Sequence, residues 1–279
     1  MFRIFSMKKI AFIGAGNMAR AIITGLISSG VSAQNIMVAN PSAEKRLKLA
    51  QEFGVLQTDD NNKASEFAEV IVLCVKPHFI AEVCQKISQA INISGKLFIS
   101  VAAGATVKQI QLALSSSNAV NTPPVVRVMP NTPAQLGLGM SGLFASKEVS
   151  IEQKATAEKL MTAVGKIIWL AAEGKINDII AVAGSAPAYF FLFMEAMEKQ
   201  ALQLGFSAQE SRILVQQTAL GAAQMVEQSD DAISTLRANV TSKNGTTHAA
   251  IEQFKLDGIE AMVKNAMLAA IARAEEMAK

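Results

Sequence analysis

The chain is 279 residues long, 51% hydrophobic and only 18% charged, which supplies ample core material and excludes a disordered chain. Its 26 basic and 23 acidic residues leave a formal charge of +3, too mild a surplus to specify a nucleic-acid binder. Two cysteines, Cys74 and Cys84, make neither a disulfide framework nor a metal cluster, so a reducing cytoplasm and no metal are expected.

The first residues, MFRIFSMKK, lack the apolar core and small-residue cleavage site of a secretory signal. A second methionine, Met7, directly precedes the first patterned segment, so residues 1–6 read as an upstream-start extension. Short β-branched runs at 9–13, 36–39, 70–75, 97–101 and 125–129 then alternate with stretches of helical patterning. Continuous apolar runs of this kind are strands covered on both faces, and their alternation with helices argues a parallel sheet with right-handed crossovers. Further strands are expected at 140–145 and 166–170, with a helix between them near 150–164.

The turn after the first run is chemically specific. Gly14-Ala15-Gly16-Asn17-Met18-Ala19 follows an apolar strand and opens a helical stretch, the context in which a G-x-G-x-x-A pattern binds a dinucleotide. Gly14 permits the tight turn, Gly16 lets backbone approach a pyrophosphate, and small Ala19 lets helix and strand pack closely. The helix N-terminus adds N–H groups and a positive dipole end, with Asn17 and Met18 in its first turn. Residues 1–172 carry 17 basic against 10 acidic residues, whereas 173–279 carry 9 against 13, and a basic first part suits a phosphate-bearing ligand. The second strand ends at Asn40, followed by Pro41, Ser42, Lys45 and Arg46, with no carboxylate where an NAD ribose would need one; Glu44 lies four residues on. NADPH is therefore expected, with NADH as the alternative coenzyme.

Ligands in open α/β sheets sit at the carboxyl ends of strands. That places Val75-Lys76-Pro77, Ala102-Ala103-Gly104 and Asn131 with the cofactor candidates. Lys76 either neutralises a phosphate or is a solvated strand-end lysine. Asn131 and Thr132, between Pro130 and Pro133, form either a polar turn against the nicotinamide side or a purely structural turn.

From Lys175 onward Ala, Leu, Met, Gln and Glu dominate and Pro187 is the only proline. One helix should end near Gly205, Ser207 should cap the next, that block should run to about Glu227, and 229–231 offers another start. The last block runs from about Thr247 with a break at Asp257-Gly258. No linker intervenes. The fold class expected is an α/β Rossmann-type domain with a mainly parallel sheet, residues 1–170, joined to an all-α domain, residues 171–279. The helical half has more apolar faces than a thin monomeric layer can cover, so self-association is expected. A membrane span needs roughly 20 predominantly apolar residues; residues 21–43 are interrupted by polar side chains, and 179–194 is short and carries Gly184, Ser185 and Pro187, so no span is expected.

Two stretches of the helical half complete the picture: Gly184-Ser185-Ala186-Pro187-Ala188-Tyr189, and Val240-Thr241-Ser242-Lys243-Asn244-Gly245-Thr246-Thr247-His248, a hydroxyl- and glycine-rich turn entering a helix. With GAGNMA, VKP, SVAAG and MPNTPA they stand in the order and spacing of the pyrroline-5-carboxylate reductases, and the chain resembles that family from about Met7 to its end. Two departures are present: Lys243-Asn244 replaces the usual Pro-Gly, and Ala186 replaces glycine. Because Asn tolerates positive φ, Asn244 is expected to do what glycine does elsewhere.

The resemblance implies reduction of the cyclic imine 1-pyrroline-5-carboxylate to L-proline by NADPH or NADH, the last step of proline biosynthesis. It implies a homodimer, or a decamer of dimers, with the active site at the dimer interface and no nucleic-acid or membrane partner. Thr247 would hydrogen-bond the ring nitrogen, and Ser242 with the N–H groups of Gly245, Thr246 and Thr247 would hold the carboxylate. A protonated imine is already electrophilic, so positioning matters more than a strong side-chain acid; neither His78 nor His248 sits in an evident base arrangement. Two rival readings remain. A two-domain β-hydroxyacid dehydrogenase places a catalytic Lys and Asn one helical turn apart, whereas Lys175 and Asn177 are two residues apart. A non-catalytic NADP-binding regulatory protein is the other, kept open by Lys243-Asn244.

Overall fold

A computed structural model describes residues 8–115 and 122–277; the expectation for residues 1–6 lies outside them. Eight strands form one sheet: β1 (Ile10–Ile13), β2 (Ile36–Ala39), β3 (Leu56–Thr58), β4 (Val70–Leu73), β5 (Leu97–Ser100), β6 (Val125–Met129), β7 (Gly139–Ala145) and β8 (Gly165–Trp169). Their order is β3-β2-β1-β4-β5-β6-β7-β8, parallel throughout except for the antiparallel β6–β7 pair. The short edge strand β3 is absent from the sequence expectations, since three residues with an exposed Gln57 at their centre give no apolar run.

Helices α1 (Asn17–Ser28), α2 (Ala43–Phe53), α3 (Asn61–Phe67), α4 (Ile80–Ala90), α5 (Val107–Leu114) and α6 (Ile151–Thr162) connect these strands. Alternate strand residues divide between two cores, as the period-2 pleat requires. Ile10, Phe12, Ile36, Val38, Val70 and Val72 face one core with Ile22 and Leu26 of α1. Ala11, Ile13, Met37, Ile71 and Leu73 face the other with Ile80, Cys84 and Ile87 of α4. Coverage on both faces explains why β1, β2, β4 and β5 are buried at every position.

After β8 the chain is helical: α7 (Lys175–Ile179) runs into a π-helical turn, Ile180–Gly184, followed by α8 (Ala186–Gln203), α9 (Ala208–Gln228), α10 (Ile233–Asn239), α11 (Thr246–Leu256) and α12 (Ile259–Met277). The expected Ser207 cap is a reciprocal capping box: Glu210 N–H donates to Ser207 Oγ at 3.3 Å and Ser207 N–H to Glu210 Oε2 at 2.9 Å. Hydrogen bonds from Ser207 hold the Glu210 carboxyl below its ordinary range. The break at Asp257-Gly258 separates α11 from α12.

Two compact units are present, one being Ala186–Ala269 and the other the rest of the chain. Residues 171–185, expected in the helical half, thus fold with the sheet unit: Ile179 packs where Gly142 of β7 lacks a side chain, and Ala183 O accepts a bond from Asn131. The C-terminal end of α12, from Ala270, also belongs to the sheet unit.

Within Ala186–Ala269, α8 packs on α9, and the Phe193 and Phe254 rings of α8 and α11 lie 5.9 Å apart. None of the eighteen residues of α8 is buried, and the same holds for α10 and α11. Phe190 and Leu192 are 67% and 68% exposed, beside Phe191, Leu204, Leu214 and Leu220. One correction concerns membranes: the continuous helical run Lys175–Gln203 is, by length and composition alone, long and apolar enough to cross one. The apolar stretch 179–194 is short by itself, but the helical path extends it from Lys175 to Gln203, with Pro187 in the first turn of α8.

Candidate active site

Ile13 of β1 lies opposite Ala39 of β2 and Leu73 of β4, and Leu73 lies opposite Ser100 of β5. The ladder continues past the strand ends, with Gly14 N–H donating to Ala39 O at 2.8 Å and Cys74 N–H to Ile13 O at 2.8 Å. The loops after these four strands therefore leave the sheet side by side, at the edge where strand order reverses between β1 and β4. That reversal is where open α/β sheets bind ligands. Gly14, Gly16, Asn17, Met18, Asn40, Ser42, Val75, Lys76, Pro77, Ala102, Ala103 and Gly104 all lie on these loops or open the helices after them.

The glycine turn has a distinct physical task at each position. Gly14 adopts φ +111°, and a Cβ there would lie 2.8 Å from both C and O of Cys74. Gly16, the N-cap of α1, has nothing within 4 Å of a built Cβ, so the space before the helix is open to a ligand. No side chain caps α1 and no acidic residue stands in its first turn, which leaves first-turn N–H groups for an anion. Ala19 is wholly buried against the sheet. These features fit a dinucleotide pyrophosphate: a backbone cradle where a side chain would intrude, and donors without acceptors.

Asn40 joins two of the loops. Its Oδ1 accepts from Ala15 N–H at 3.3 Å and its Nδ2 donates to Ser42 O at 3.4 Å. Ser42 is the N-cap of α2 with its hydroxyl unused in capping, and Lys76 is exposed at the end of the β4 loop. Burial pushes the Cys84 thiol up to about 12 and raises that of Cys74 as well.

Asn131 has a different occupation from the nicotinamide contact considered above. It is buried, its Oδ1 accepts from Met140 N–H at 2.9 Å, and its Nδ2 donates to Ala183 O at 3.1 Å. Its amide therefore ties the start of β7 to the π-helical turn, a structural link. Sequence reasoning also missed Glu173, whose Oε1 accepts from Val107 N–H at the start of α5 (2.7 Å) and pairs with buried Arg127 of β6 (2.8 Å). Its partners are 66 and 46 residues away, so no local pattern announces it.

In the helical unit, residues 241–245 turn into α11. Asn244 has φ +60°, the only positive φ outside glycine among the described residues, so it takes the left-handed position that glycine is suited to. Gly245 is the N-cap of α11, and Ser242 Oγ occupies the space a Cβ on Gly245 would need. Ser242, Thr246 and Thr247 are exposed. The sequence expectation changes in one respect: Gly245 N–H donates to Ser242 O at 3.0 Å, so it is not free for a carboxylate. The Ser242 hydroxyl and the N–H groups of Thr246 and Thr247 remain, at a helix start with no side-chain cap. His248, half-exposed, follows on the helix, whereas His78 lies against Phe79, the rings tilted at 50° with centroids 4.2 Å apart. Among the described residues no group of three or more His, Cys, Asp or Glu is placed to hold a metal ion.

Fold and glycine turn together define a class, a Rossmann-type dinucleotide-binding protein with a helical second unit. Residues 9–104 match the family model described as NADP oxidoreductase coenzyme F420-dependent, and residues 173–277 match that of pyrroline-5-carboxylate reductase dimerisation. A pyrroline-5-carboxylate reductase of Vibrio alginolyticus is 54% identical over 273 residues, covering 98% of each chain. The solved structure of a pyrroline-5-carboxylate reductase from Coxiella burnetii superposes with a TM-score of 0.90 at 40% identity, over 98% of this chain and 100% of that one. A Plasmodium falciparum pyrroline carboxylate reductase solved with NADP bound gives 0.85 at 26% identity, over 98% of both chains. The chain belongs to the pyrroline-5-carboxylate reductase family.

Proposed function

We propose that this protein reduces 1-pyrroline-5-carboxylate to L-proline with NADPH, the last step of proline biosynthesis. The observation that carries the reading is the turn before α11. It keeps an uncapped helix start and Ser242 against Gly245 although Lys243-Asn244 replaces Pro-Gly, because Asn244 adopts the required φ of +60°.

The chemistry asked of the chain is positioning. The Ser242 hydroxyl and the N–H groups of Thr246 and Thr247 hold the substrate carboxylate, with the positive end of the α11 dipole behind them. Thr247 Oγ1 accepts the hydrogen bond of the protonated ring nitrogen, which keeps the proton there and the imine carbon electrophilic. NADPH, when bound along the glycine turn, supplies the hydride. Orientation of this kind replaces a strong acid, and accounts for a site without a paired histidine.

The hydroxyacid dehydrogenase reading loses its residue. Lys175 Nζ bonds Asp178 Oδ2 at 2.7 Å on an exposed helix face, and that carboxylate holds the ammonium above its ordinary range. Turnover decides between the readings. NADPH should be consumed with 1-pyrroline-5-carboxylate and not with a β-hydroxyacid or its oxidised form, and the reverse pattern would favour the dehydrogenase. No consumption with either would favour a regulatory protein.

Self-association is part of the same reading. The apolar face of α8 and the helices around it exceeds what a soluble monomer leaves exposed, and we infer that a second copy covers it instead of lipid. A homodimer is the unit proposed, in the cytoplasm, where both free thiols stay reduced. Sedimentation should return a dimer or a decamer built from dimers without detergent; an active monomer, or a chain soluble only in detergent, would refute this.

A further inference from the structure

We infer that Arg46 sets the preference of this chain for a 2′-phosphorylated coenzyme, acting as a positioning residue behind the loop that follows β2. The inference rests on the NADPH reading above and adds to it a residue outside the fingerprint. Arg46 stands on α2, one turn in, and its side chain is only 15% exposed. Its Nη1 donates to Asn40 O at 3.2 Å and to Pro41 O at 3.1 Å, and its Nε donates to Gln57 Oε1 of β3 at 2.8 Å. The neighbouring Lys45 is exposed, so the two cations that look alike in sequence differ in the folded chain.

Three consequences follow from this geometry. First, the carbonyl oxygens of Asn40 and Pro41, whose negative ends would repel a phosphate at the strand terminus, are engaged from behind by a guanidinium. Second, that charge is only partly offset: the ion pair from Nη2 to Asp59 is long, at 3.8 Å, and Asp59 is 73% exposed, while the first carboxylate of α2, Glu44, is also exposed. Third, Arg46 fixes Asn40, whose side chain bonds both Ala15 N–H of the pyrophosphate turn and Ser42 O of the ribose loop. An adenosine ribose bound at the end of β2 meets no carboxylate among residues 40–43 to hold a free 2′-hydroxyl, and a dianionic 2′-phosphate there meets a half-buried positive charge behind the loop.

Binding titrations on the full-length chain, followed by nicotinamide fluorescence, test this without relying on turnover. Arg46→Met should weaken NADPH about tenfold or more while NADH changes by less than about twofold, and Arg46→Lys should recover part of the loss. Gln57→Glu separates anchoring from charge, because it keeps an acceptor on Nε yet neutralises the guanidinium; it should weaken NADPH several-fold with NADH unaffected. That variant also decides the matter if Arg46→Met fails to fold. An equal loss of both coenzymes in Arg46→Met, or an unchanged NADPH to NADH ratio in Gln57→Glu, would reduce Arg46 to a loop strut and overturn the inference alone. Tighter binding of NADH by the unaltered chain would instead remove the NADPH reading, and the inference with it.

Discussion

Thr247→Ala should lower kcat/KM for 1-pyrroline-5-carboxylate by about 10- to 100-fold and leave the Kd for NADPH unchanged. The magnitude is that of one hydrogen bond to a charged group, roughly 1.5–3 kcal/mol, expressed in the transition state. Thr247 is exposed in the first turn of α11, so truncating it opens no cavity and removes no internal bond of the fold. Thr247→Ser retains the hydroxyl and should recover most of the activity. A Thr247→Ala enzyme with wild-type kcat/KM would take Thr247 off the reaction path and leave the turn as a helix cap alone.

Gly14→Ala should abolish coenzyme binding and destabilise the sheet unit. The added Cβ meets the backbone of Cys74 at 2.8 Å, and φ +111° is a conformation that alanine rarely adopts. Neither neighbour can swing aside, since Cys74 N–H is bonded to Ile13 O and Gly14 N–H to Ala39 O in the sheet ladder. Strain of about 3 kcal/mol is expected, a fall in Tm of roughly 5–10 °C, with loss of measurable NADPH binding. Gly30→Ala is the control. Its φ of +91° is also positive, but its Cβ would meet nothing within 4 Å, so it should cost about 1 kcal/mol and leave NADPH binding intact. Equal effects of the two substitutions on coenzyme binding would show that the close approach at Gly14 is not what shapes the turn.

The sheet unit was legible in the sequence because its determinants are local. Ile10–Ile13, Ile36–Ala39 and Val70–Leu73 are uninterrupted apolar runs, and burial on both faces is the physical reason for such runs. The end of α8 and the start of α9 were marked by Gly205 and Ser207, which terminate and cap helices by their own chemistry. Asn244 was readable for a similar reason, since its tolerance of positive φ is intrinsic to the residue.

What was hidden depends on partners that only the folded backbone brings into reach. Asn131 resembles a ligand contact until Met140 N–H and Ala183 O occupy its amide. Gly245 looks like a free donor until the turn bends its N–H onto Ser242 O. Arg46 looks like a surface charge until the fold brings Gln57 and the Asn40 and Pro41 carbonyls around it. The attachment of residues 171–185 to the sheet unit escaped composition for the same reason, because these residues are as apolar as the helices beyond them. Apolar content is the same for a helix covered by lipid and one covered by a second subunit, and α8 satisfies both descriptions; the match of residues 173–277 to a dimerisation model supports the second.

Hydride delivery to a cyclic imine bound at the α11 turn can be followed by a labelled transfer. NADPH carrying deuterium in the transferred position at C4 of its nicotinamide is supplied with 1-pyrroline-5-carboxylate, and the product is examined by mass spectrometry and NMR. L-proline with one deuterium on the former imine carbon is expected, formed one for one with coenzyme oxidised, and formed far more slowly by Thr247→Ala. Coenzyme oxidised without labelled proline, or no oxidation by a folded protein that binds NADPH, would contradict it.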